Sequence, residues 1–483
     1  MRPPLPGRSR GALVWAGLAI FAVMAVPAPL GTALLTAAIA ARAAVWTLAR
    51  VRQARARRVA AVHTAGTRLG TDASGNPVLI PDEALAAHGL VLGATGAGKS
   101  TTLLSVLTQQ VERGLPVVVI DLKGSPNFAA TLRAAALTAG RPFAQWTPDG
   151  GASWNPLAHG NATELKDKLI ATERFTEPHY KRAAERYVQL AIGVMQERRP
   201  DRPVTLAGVV ELLQPQRLAA ATRSLPRERG EYVRSYIESL TPDQVSAIRG
   251  LQTRLAIIAE SHTGRHLEPP APGEPVPTID LRESLRGPQV VLFSLNSSTY
   301  GGLAAQLGTL VVQDLVTAAG ARLTEAGTRT SAPQAFVGID EFSALGSENV
   351  MALLARGREA GVAVLLATQE LADLDRAGHG LRQQVLGNTA VKIAHRQDVP
   401  ASATLIAEIA GKIKAWDLTH HGSSNSLGVR GQSSTTARLV DRFNVEPEQV
   451  RTMRAGEALV ILKSPTSSAR ITRILPPPKR DLE

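Results

Sequence analysis

The chain has 483 residues, with 54 Lys and Arg against 41 Asp and Glu, and no cysteine. The missing cysteine excludes disulfides and Cys-ligated zinc. The net charge of +13 invites a nucleic-acid partner, but ten arginines precede the first acid, Asp72, so most of the excess sits in one arm and marks no DNA-binding face.

That arm has a membrane pattern. Residues 11–26 are uninterrupted apolar, Pro27-Ala28-Pro29 breaks the run, and a second apolar stretch covers 30–49 with Arg42 as its one charge. The first run is short of the roughly 20 residues a spanning helix needs. Arg2, Arg8 and Arg10 precede the pair; Arg50, Arg52, Arg55, Arg57 and Arg58 come after it. Basic flanks on both sides put both ends in the cytoplasm, so 1–58 reads as a membrane anchor of two transmembrane helices. Arg42 would snorkel or face a partner helix. A cleaved signal peptide with an h-region ending near Ala25 is the rival. The second apolar run disfavours it, and so does the phosphate-binding loop at 93–100, which export would separate from ATP.

The apolar run His88-Gly89-Leu90-Val91-Leu92 predicts a strand, and Thr101 to Leu107 predict a helix start. Between them stands Gly93-Ala94-Thr95-Gly96-Ala97-Gly98-Lys99-Ser100, a complete GxxxxGK[ST] phosphate-binding loop. Its glycines let backbone N–H groups close around a phosphate chain at a helix N-terminus. Gly93, Ala94, Thr95, Gly96, Ala97, Gly98, Lys99, Ser100 and Thr101 are therefore the expected ATP-binding residues. Lys99 would reach the β- and γ-phosphates and Ser100 would hold Mg²⁺.

A second strand, Leu115 to Ile120, ends in Asp121. Lys123 just beyond it would sit near the nucleotide or form a structural ion pair. Residues 59–154 thus make the first part of a nucleotide-binding domain. From 155 to 278 strand patterning is absent. Tyr180, Ala184, Tyr187, Ala191 and Val194 recur at helical spacing instead, a stripe that reads as core packing. The span reads as an inserted all-α domain, closed by the Pro-rich linker 267–275.

Strand alternation resumes over 279–483, the second part of the nucleotide-binding domain. Gln334 to Ile339 is a mostly apolar strand ending in Asp340-Glu341. Downstream of a phosphate loop, that acidic pair is where Asp340 would join the Mg²⁺ shell and Glu341 would orient or deprotonate the attacking water. Gly338 inside a buried strand points to a close neighbour. Arg356 and Arg358, on the segment before the next strand, are candidates for an arginine finger onto a neighbouring subunit, or a solvent-facing helix end. The strand Gly361 to Ala367 ends in Thr368-Gln369, and Gln369 could touch both γ-phosphate and water. Residues 388–394 and 458–462 add strands, and Thr419 to Ala437 reads as a Ser/Gly-rich loop holding the isolated pair His420-His421. Strand–helix alternation argues an α/β fold with a mainly parallel sheet.

Together these residues resemble the type IV secretion coupling proteins of the TraD/TraG kind, within the wider FtsK/HerA-like family of P-loop translocases. The resemblance is carried by the apolar hairpin, Gly93 to Ser100, Ile120-Asp121-Leu122-Lys123-Gly124, Trp154-Asn155-Pro156-Leu157, Ile339 to Gly346, Arg356 to Gly361, Ala367-Thr368-Gln369 and Gly387-Asn388-Thr389. It implies a RecA-like ATPase using ATP and Mg²⁺, a homo-hexamer under the cell membrane with ATP sites between subunits, and a cytoplasmic bulk. The implied partners are single-stranded DNA with its relaxase and the type IV secretion channel proteins. An FtsK-like double-stranded DNA translocase is disfavoured by the long insertion. A protein-export coupling ATPase with no nucleic-acid substrate stays open.

Overall fold

The computed structural model describes residues 66–478, apart from 174, 176, 272, 326–333 and 422–433. The expected anchor over 1–58 lies outside the described residues.

The strands, in chain order, are β1 (Gly66–Asp72), β2 (Pro77–Pro81), β3 (Gly89–Leu92), β4 (Val117–Asp121), β5 (Phe143–Trp146), β6 (Ser153–Trp154), β7 (Thr278–Ile279), β8 (Val290–Ser294), β9 (Ala335–Asp340), β10 (Val362–Thr368), β11 (Val391–Ala394), β12 (Lys412–His421), β13 (Ser434–Phe443), β14 (Glu457–Leu462) and β15 (Ser468–Ile474). Eleven of them form one sheet in the order β2-β1-β15-β14-β11-β3-β10-β9-β4-β8-β5. From β11 to β5 every neighbouring pair is parallel. β14, β15, β1 and β2 extend the sheet antiparallel. The strand expected over 458–462 is therefore present, but it leaves the parallel pattern: β14 and β15 are joined by a short connection, too short for the crossover a parallel partner requires.

The central strands are apolar on both faces because helices cover both. In β4, Val117 and Val119 enter one core and Val118 and Ile120 the other. The helix Lys99–Glu112 buries Leu103, Val106 and Leu107 against the first of these. Gly338 is the contact that lets it lie so close: a Cβ there would stand 2.9 Å from Leu107 Cδ2.

Between β6 and β7, which pair with each other in parallel, the chain is helical. The helices Ala162–Ile170, Pro178–Arg198, Leu206–Leu212, Pro215–Ala221, Arg227–Glu238 and Pro242–Ala259 fill the segment. Asn161 with Glu164, and Thr241 with Gln244, form capping boxes, and Pro178 and Pro242 stand at the first helical turn, where a missing N–H costs nothing. Ala184, Tyr187, Ala191 and Val194 are fully buried, and the Tyr187 hydroxyl donates to Leu212 O at 3.3 Å. At the root of the segment, Trp154 Nε1 donates to Asp314 Oδ2 (3.0 Å), and Lys168 Nζ lies 2.8 Å from Asp314 Oδ1. Lys168 also donates to Pro156 O and His159 O, so the buried ammonium is well coordinated.

Asp314 belongs to the helix Ser297–Glu325, which is kinked at Gly301. Among the described residues this is the one helix long and apolar enough to cross a membrane, yet two thirds of its apolar window (67%) is buried inside the protein. Leu307, Leu310, Val311 and Leu315 serve the core.

The expected loop over Thr419–Ala437 is corrected in part. β12 and β13 run into it from both sides and pair with each other from Lys412↔Phe443 to His421↔Ser434. His420 and His421 therefore end a strand. The Ser/Gly-rich centre of the expected loop, 422–433, lies outside the described residues.

Candidate active site

The parallel register lines up strand ends. Leu92 of β3 pairs with Thr368 of β10, Ala367 of β10 with Asp340 of β9, and Asp340 with Asp121 of β4. Four carboxyl ends thus open on one edge, where α/β sheets bind ligands.

The phosphate loop leaves β3 there. Gly96 and Gly98 take positive φ of 78° and 113°, a backbone that L side chains rarely adopt. Gly98 caps the helix Lys99–Glu112. The N–H groups of Lys99, Ser100 and Thr101 consequently have no intrahelical acceptor and face the loop's hollow, the arrangement that receives phosphate. Thr95, Gly96 and Thr101 are exposed, Ala94, Gly98 and Ser100 partly so, and Gly93, Ala97 and Lys99 are buried. Gly93 N–H donates to Gln369 O and Ala94 N–H to Arg396 O, which tie the loop to β10 and to the segment after β11.

Lys99 Nζ lies 3.2 Å from Glu341 Oε1 and 3.5 Å from Asp340 Oδ1. Ser100 Oγ donates to Asp340 Oδ2 at 3.3 Å. Gln369 Nε2 donates to Glu341 Oε1 at 2.6 Å, while Thr95 Oγ1 donates to Gln369 Oε1 at 3.1 Å. Lys99, Ser100, Asp340, Glu341 and Gln369 thus form one cluster. Lys123 joins it: its ammonium is 2.9 Å from the same Glu341 oxygen, so of its two sequence readings the ion pair is observed, and at the nucleotide edge.

Glu341 has left-handed backbone angles (φ 59°, ψ 40°), uncommon for a residue with a side chain. Burial alone would raise its carboxyl pKa. The Gln369 amide and the Lys99 and Lys123 ammonium groups outweigh that and hold it at about 2. Asp121 goes the other way: burial, with the Asp340 charge beside it, raises it to about 6, against hydrogen bonds from the Ser125, Lys123 and Gly124 amides. Asp340 Oδ1 is buried without a hydrogen-bond partner, since its 3.5 Å approach to Lys99 is an ion pair too long for a hydrogen bond. An orphaned carboxylate oxygen next to the Ser100 hydroxyl fits a divalent cation with oxygen ligands.

Sequence spacing did not reveal the support beneath the loop. His395, just past β11, is fully buried. A Cβ on Gly93 would stand 2.9 Å from the His395 Cβ and 3.4 Å from its ring, and one on Gly98 would stand 3.3 Å from the ring carbon Cε1. Nδ1 lies 2.8 Å from Glu457 O, an acceptor only, so Nδ1 carries the proton and Nε2 accepts from Thr102 Oγ1 at 2.8 Å. Burial, with the Lys99 charge close by, pushes this imidazole down to about 4. His88 plays the same part at the other end of β3. Its Nε2 donates to Leu354 O (2.8 Å), its Nδ1 accepts from Val364 N (3.1 Å), and burial lowers it to about 4.

Arg356 and Arg358 do not join the cluster. They are exposed in the last turn of the helix Ser347–Glu359. That helix starts beyond Asp340 and runs back along the sheet for about 20 Å. Arg358 bears electrostatically on His88, which precedes β3, whereas the phosphate loop comes after it.

Two family models match the chain. Residues 335–455 match the TraM recognition site of TraD and TraG, and residues 47–133 match the FtsK/SpoIIIE family. In these segments the chain is similar to the TraD/TraG and FtsK/SpoIIIE families. Among solved structures, the bacterial conjugative coupling protein TrwB in an unbound form has 14% identity and a TM-score of 0.61, covering 86% of this chain and 89% of that one. The plasmid coupling protein TrwB with ADP and Mg²⁺ is 15% identical, with TM-score 0.55 over 87% of this chain and 92% of that one. VirB4 of Thermoanaerobacter pseudethanolicus is 15% identical, with TM-score 0.53 over 86% and 97%. At these identities the likeness establishes the fold, a RecA-like P-loop NTPase with a mostly parallel sheet. No curated protein sequence matches the chain significantly.

Proposed function

We propose that the chain is an ATP-hydrolysing motor that couples a DNA substrate to a type IV secretion channel and drives conjugative transfer. The observation that carries it is the convergence on Glu341 Oε1 of Lys99, Lys123 and Gln369, beside an orphaned Asp340 oxygen.

In this reading the loop amides and Lys99 bind the triphosphate, and Ser100 and Asp340 would hold Mg²⁺, which would supply charge neutralisation at the phosphates. Lys99 then turns from Glu341 to the phosphates. Glu341 stays ionised with Gln369 and Lys123 as partners. A carboxylate near pKa 2 is a weak base, so its role is to orient the attacking water. Gln369, touching both the loop through Thr95 and Glu341, reports phosphate occupancy to β10. Arg356 and Arg358 act on the site of a neighbouring subunit within a homo-hexamer. Residues 1–58 anchor the ring in the cell membrane as a two-helix hairpin, and 155–278 form the inserted all-α domain. The match of 335–455 to a TraM recognition site supports docking with conjugative DNA-processing partners such as a relaxase complex.

The match of 47–133 to FtsK/SpoIIIE favours one second reading, translocation of double-stranded DNA. ATP turnover by the full chain in detergent separates the two, measured without nucleic acid, with single strands and with duplex, and with Lys99→Ala as blank. Stimulation by single strands that fades with salt supports coupling of transferred DNA. Stimulation by duplex alone supports the second reading. Turnover indifferent to both overturns the DNA motor.

A further inference from the structure

Among the described residues, β12 and β13 belong to no larger sheet and pair only with each other. Antiparallel hairpins ordinarily bury one face, but here both are open. On one face Trp416, 67% exposed, stands directly opposite Leu439, 47% exposed, with Lys412 and Lys414 on the same side. On the other, Ile413 is 50% exposed opposite Arg442, and Asp417 faces Arg438. Among the described side chains of the ribbon, the Trp416 face carries Lys412 and Lys414 against Asp441, which Lys414 engages at 3.2 Å, while on the reverse face Arg438 stands opposite Asp417 and Arg442 pairs with Glu446 at 4.0 Å.

A two-stranded ribbon with both faces in water is marginal by itself, and an exposed tryptophan with apolar neighbours marks a contact surface. Charge decides what kind. The core of a protein interface is depleted of charge. Surplus cations flanking an open aromatic ring are what single-stranded nucleic acid uses, phosphates on the cations and a base on the ring. A duplex keeps its base faces stacked and offers the ring nothing comparable.

The ribbon is also wired to the phosphate loop. Its root is closed by Asn444 N–H donating to Gly411 O at 2.9 Å. After one short helix, Pro447–Arg451, the same chain reaches Gly456, whose N–H donates to Ala97 O at 3.0 Å. The next residue, Glu457, is the carbonyl that His395 holds.

We propose that this ribbon is a single-strand grip: Trp416 stacks on a base, and Lys412 and Lys414, on the same face of the ribbon, take the flanking phosphates. The proposal rests on the DNA-motor reading and names its strand-contacting element.

Tryptophan fluorescence tests it directly in the full chain in detergent. Trp146 and Trp154 are fully buried, whereas Trp416 is open to a bound strand. Oligothymidylate should quench the emission. Trp416→Phe should abolish that quench while keeping most of the affinity, because phenylalanine still stacks. Trp416→Ala should weaken binding about tenfold. Lys412→Gln with Lys414→Gln should lower the slope of log affinity against log salt by about 1.4. All these variants should keep the DNA-independent ATP turnover, which shows that they fold. Wild-type quenching and affinity in the Trp416 variants would overturn the grip and leave the motor reading standing, as would equal quenching by duplex. Failure of the wild-type chain to bind oligothymidylate at any salt would overturn both.

Discussion

The Lys123 ammonium lies 2.9 Å from Glu341 Oε1, the oxygen that Lys99 also approaches at 3.2 Å. When Lys99 turns to a bound triphosphate, Lys123 is the cation left to keep Glu341 ionised. Lys123→Met should therefore let the Glu341 pKa climb from about 2 towards the ordinary carboxylate range. The catalytically useful form is the carboxylate, so turnover should fail at a higher pH in the variant. A pH–rate profile at saturating Mg-ATP should show the acid limb moved up, with kcat at neutral pH lowered about tenfold, the lower range for a displaced positioning group. An unmoved acid limb would mean that Lys123 only braces the empty site.

Asp340→Asn tests the metal side. Its unpartnered Oδ1 and the Ser100 hydroxyl on Oδ2 are the oxygens placed for Mg²⁺. The amide keeps the shape and removes the charge. Nucleotide binding in EDTA should be little changed, while the gain in affinity on adding Mg²⁺ should disappear. Equilibrium binding of a fluorescent ADP with and without Mg²⁺ measures this, and an undiminished Mg²⁺ effect would remove Asp340 from the metal shell.

His88 and His395 make stability depend on pH. Both are held neutral by burial, with pKa values of about 4 against an ordinary 6.5. Between those values the unfolded chain binds more protons than the folded one, so stability rises with pH. It is complete above about 6.5 and is lost as pH falls towards 4, each histidine contributing up to about 3 kcal/mol. The melting temperature should drop across that window, and His395→Gln should flatten part of the drop while loosening nucleotide binding. A melting temperature that stays level from pH 7 to 4 would show that neither ring is excluded from protonation.

Strand ends were legible in the sequence because apolar runs stop at charges. Asp340-Glu341, Thr368-Gln369 and the Gly93–Ser100 loop each announce themselves locally, and the parallel register then sets them side by side. The features that were not legible depend on long-range contact. His395 is an ordinary residue until Gly93 and Gly98 pack against it. Asp121 acquires its raised pKa from burial within the sheet, to which the Asp340 charge that β9 brings beside it adds. The antiparallel direction of β14 was not legible because Ala458 to Leu462 is a continuous apolar run like those of the parallel strands. The ribbon of β12 and β13 was masked by serines and glycines near its tip, which read as loop. Gly338 was legible as an anomaly, and Leu107 supplies its reason.

The buried pair Lys168–Asp314, with Trp154 Nε1 on the second carboxylate oxygen, ties the root of the helical segment to the helix Ser297–Glu325. Lys168→Met strands a buried carboxylate and should cost about 3–5 kcal/mol. Adding Asp314→Leu removes the charge as well and should recover a large part of the loss, although Trp154 then lacks its acceptor. Thermal unfolding of the single and double variants gives the coupling. Additive losses would mean that the ammonium and the carboxylate do not depend on one another.

Arg356 and Arg358 give the sharpest test of assembly. They stand exposed at the end of a helix that runs away from the phosphate loop, so within one chain they have no route to the phosphates bound there. If they act, they act on a neighbour, and each active site is built from two chains. A chain with Lys99→Ala has a dead site but an intact finger, and a chain with Arg356→Ala and Arg358→Ala has the reverse. Each alone should lose about a thousandfold or more in turnover. Mixed in equal amounts before assembly, they should regain activity, because an interface pairing an intact loop with an intact finger arises in about a quarter of random head-to-tail contacts. Crosslinking of the mixture reports whether the two chains share a ring. A mixed ring with no recovered turnover would place the arginines outside catalysis and leave them as the solvent-facing helix end that their exposure also allows.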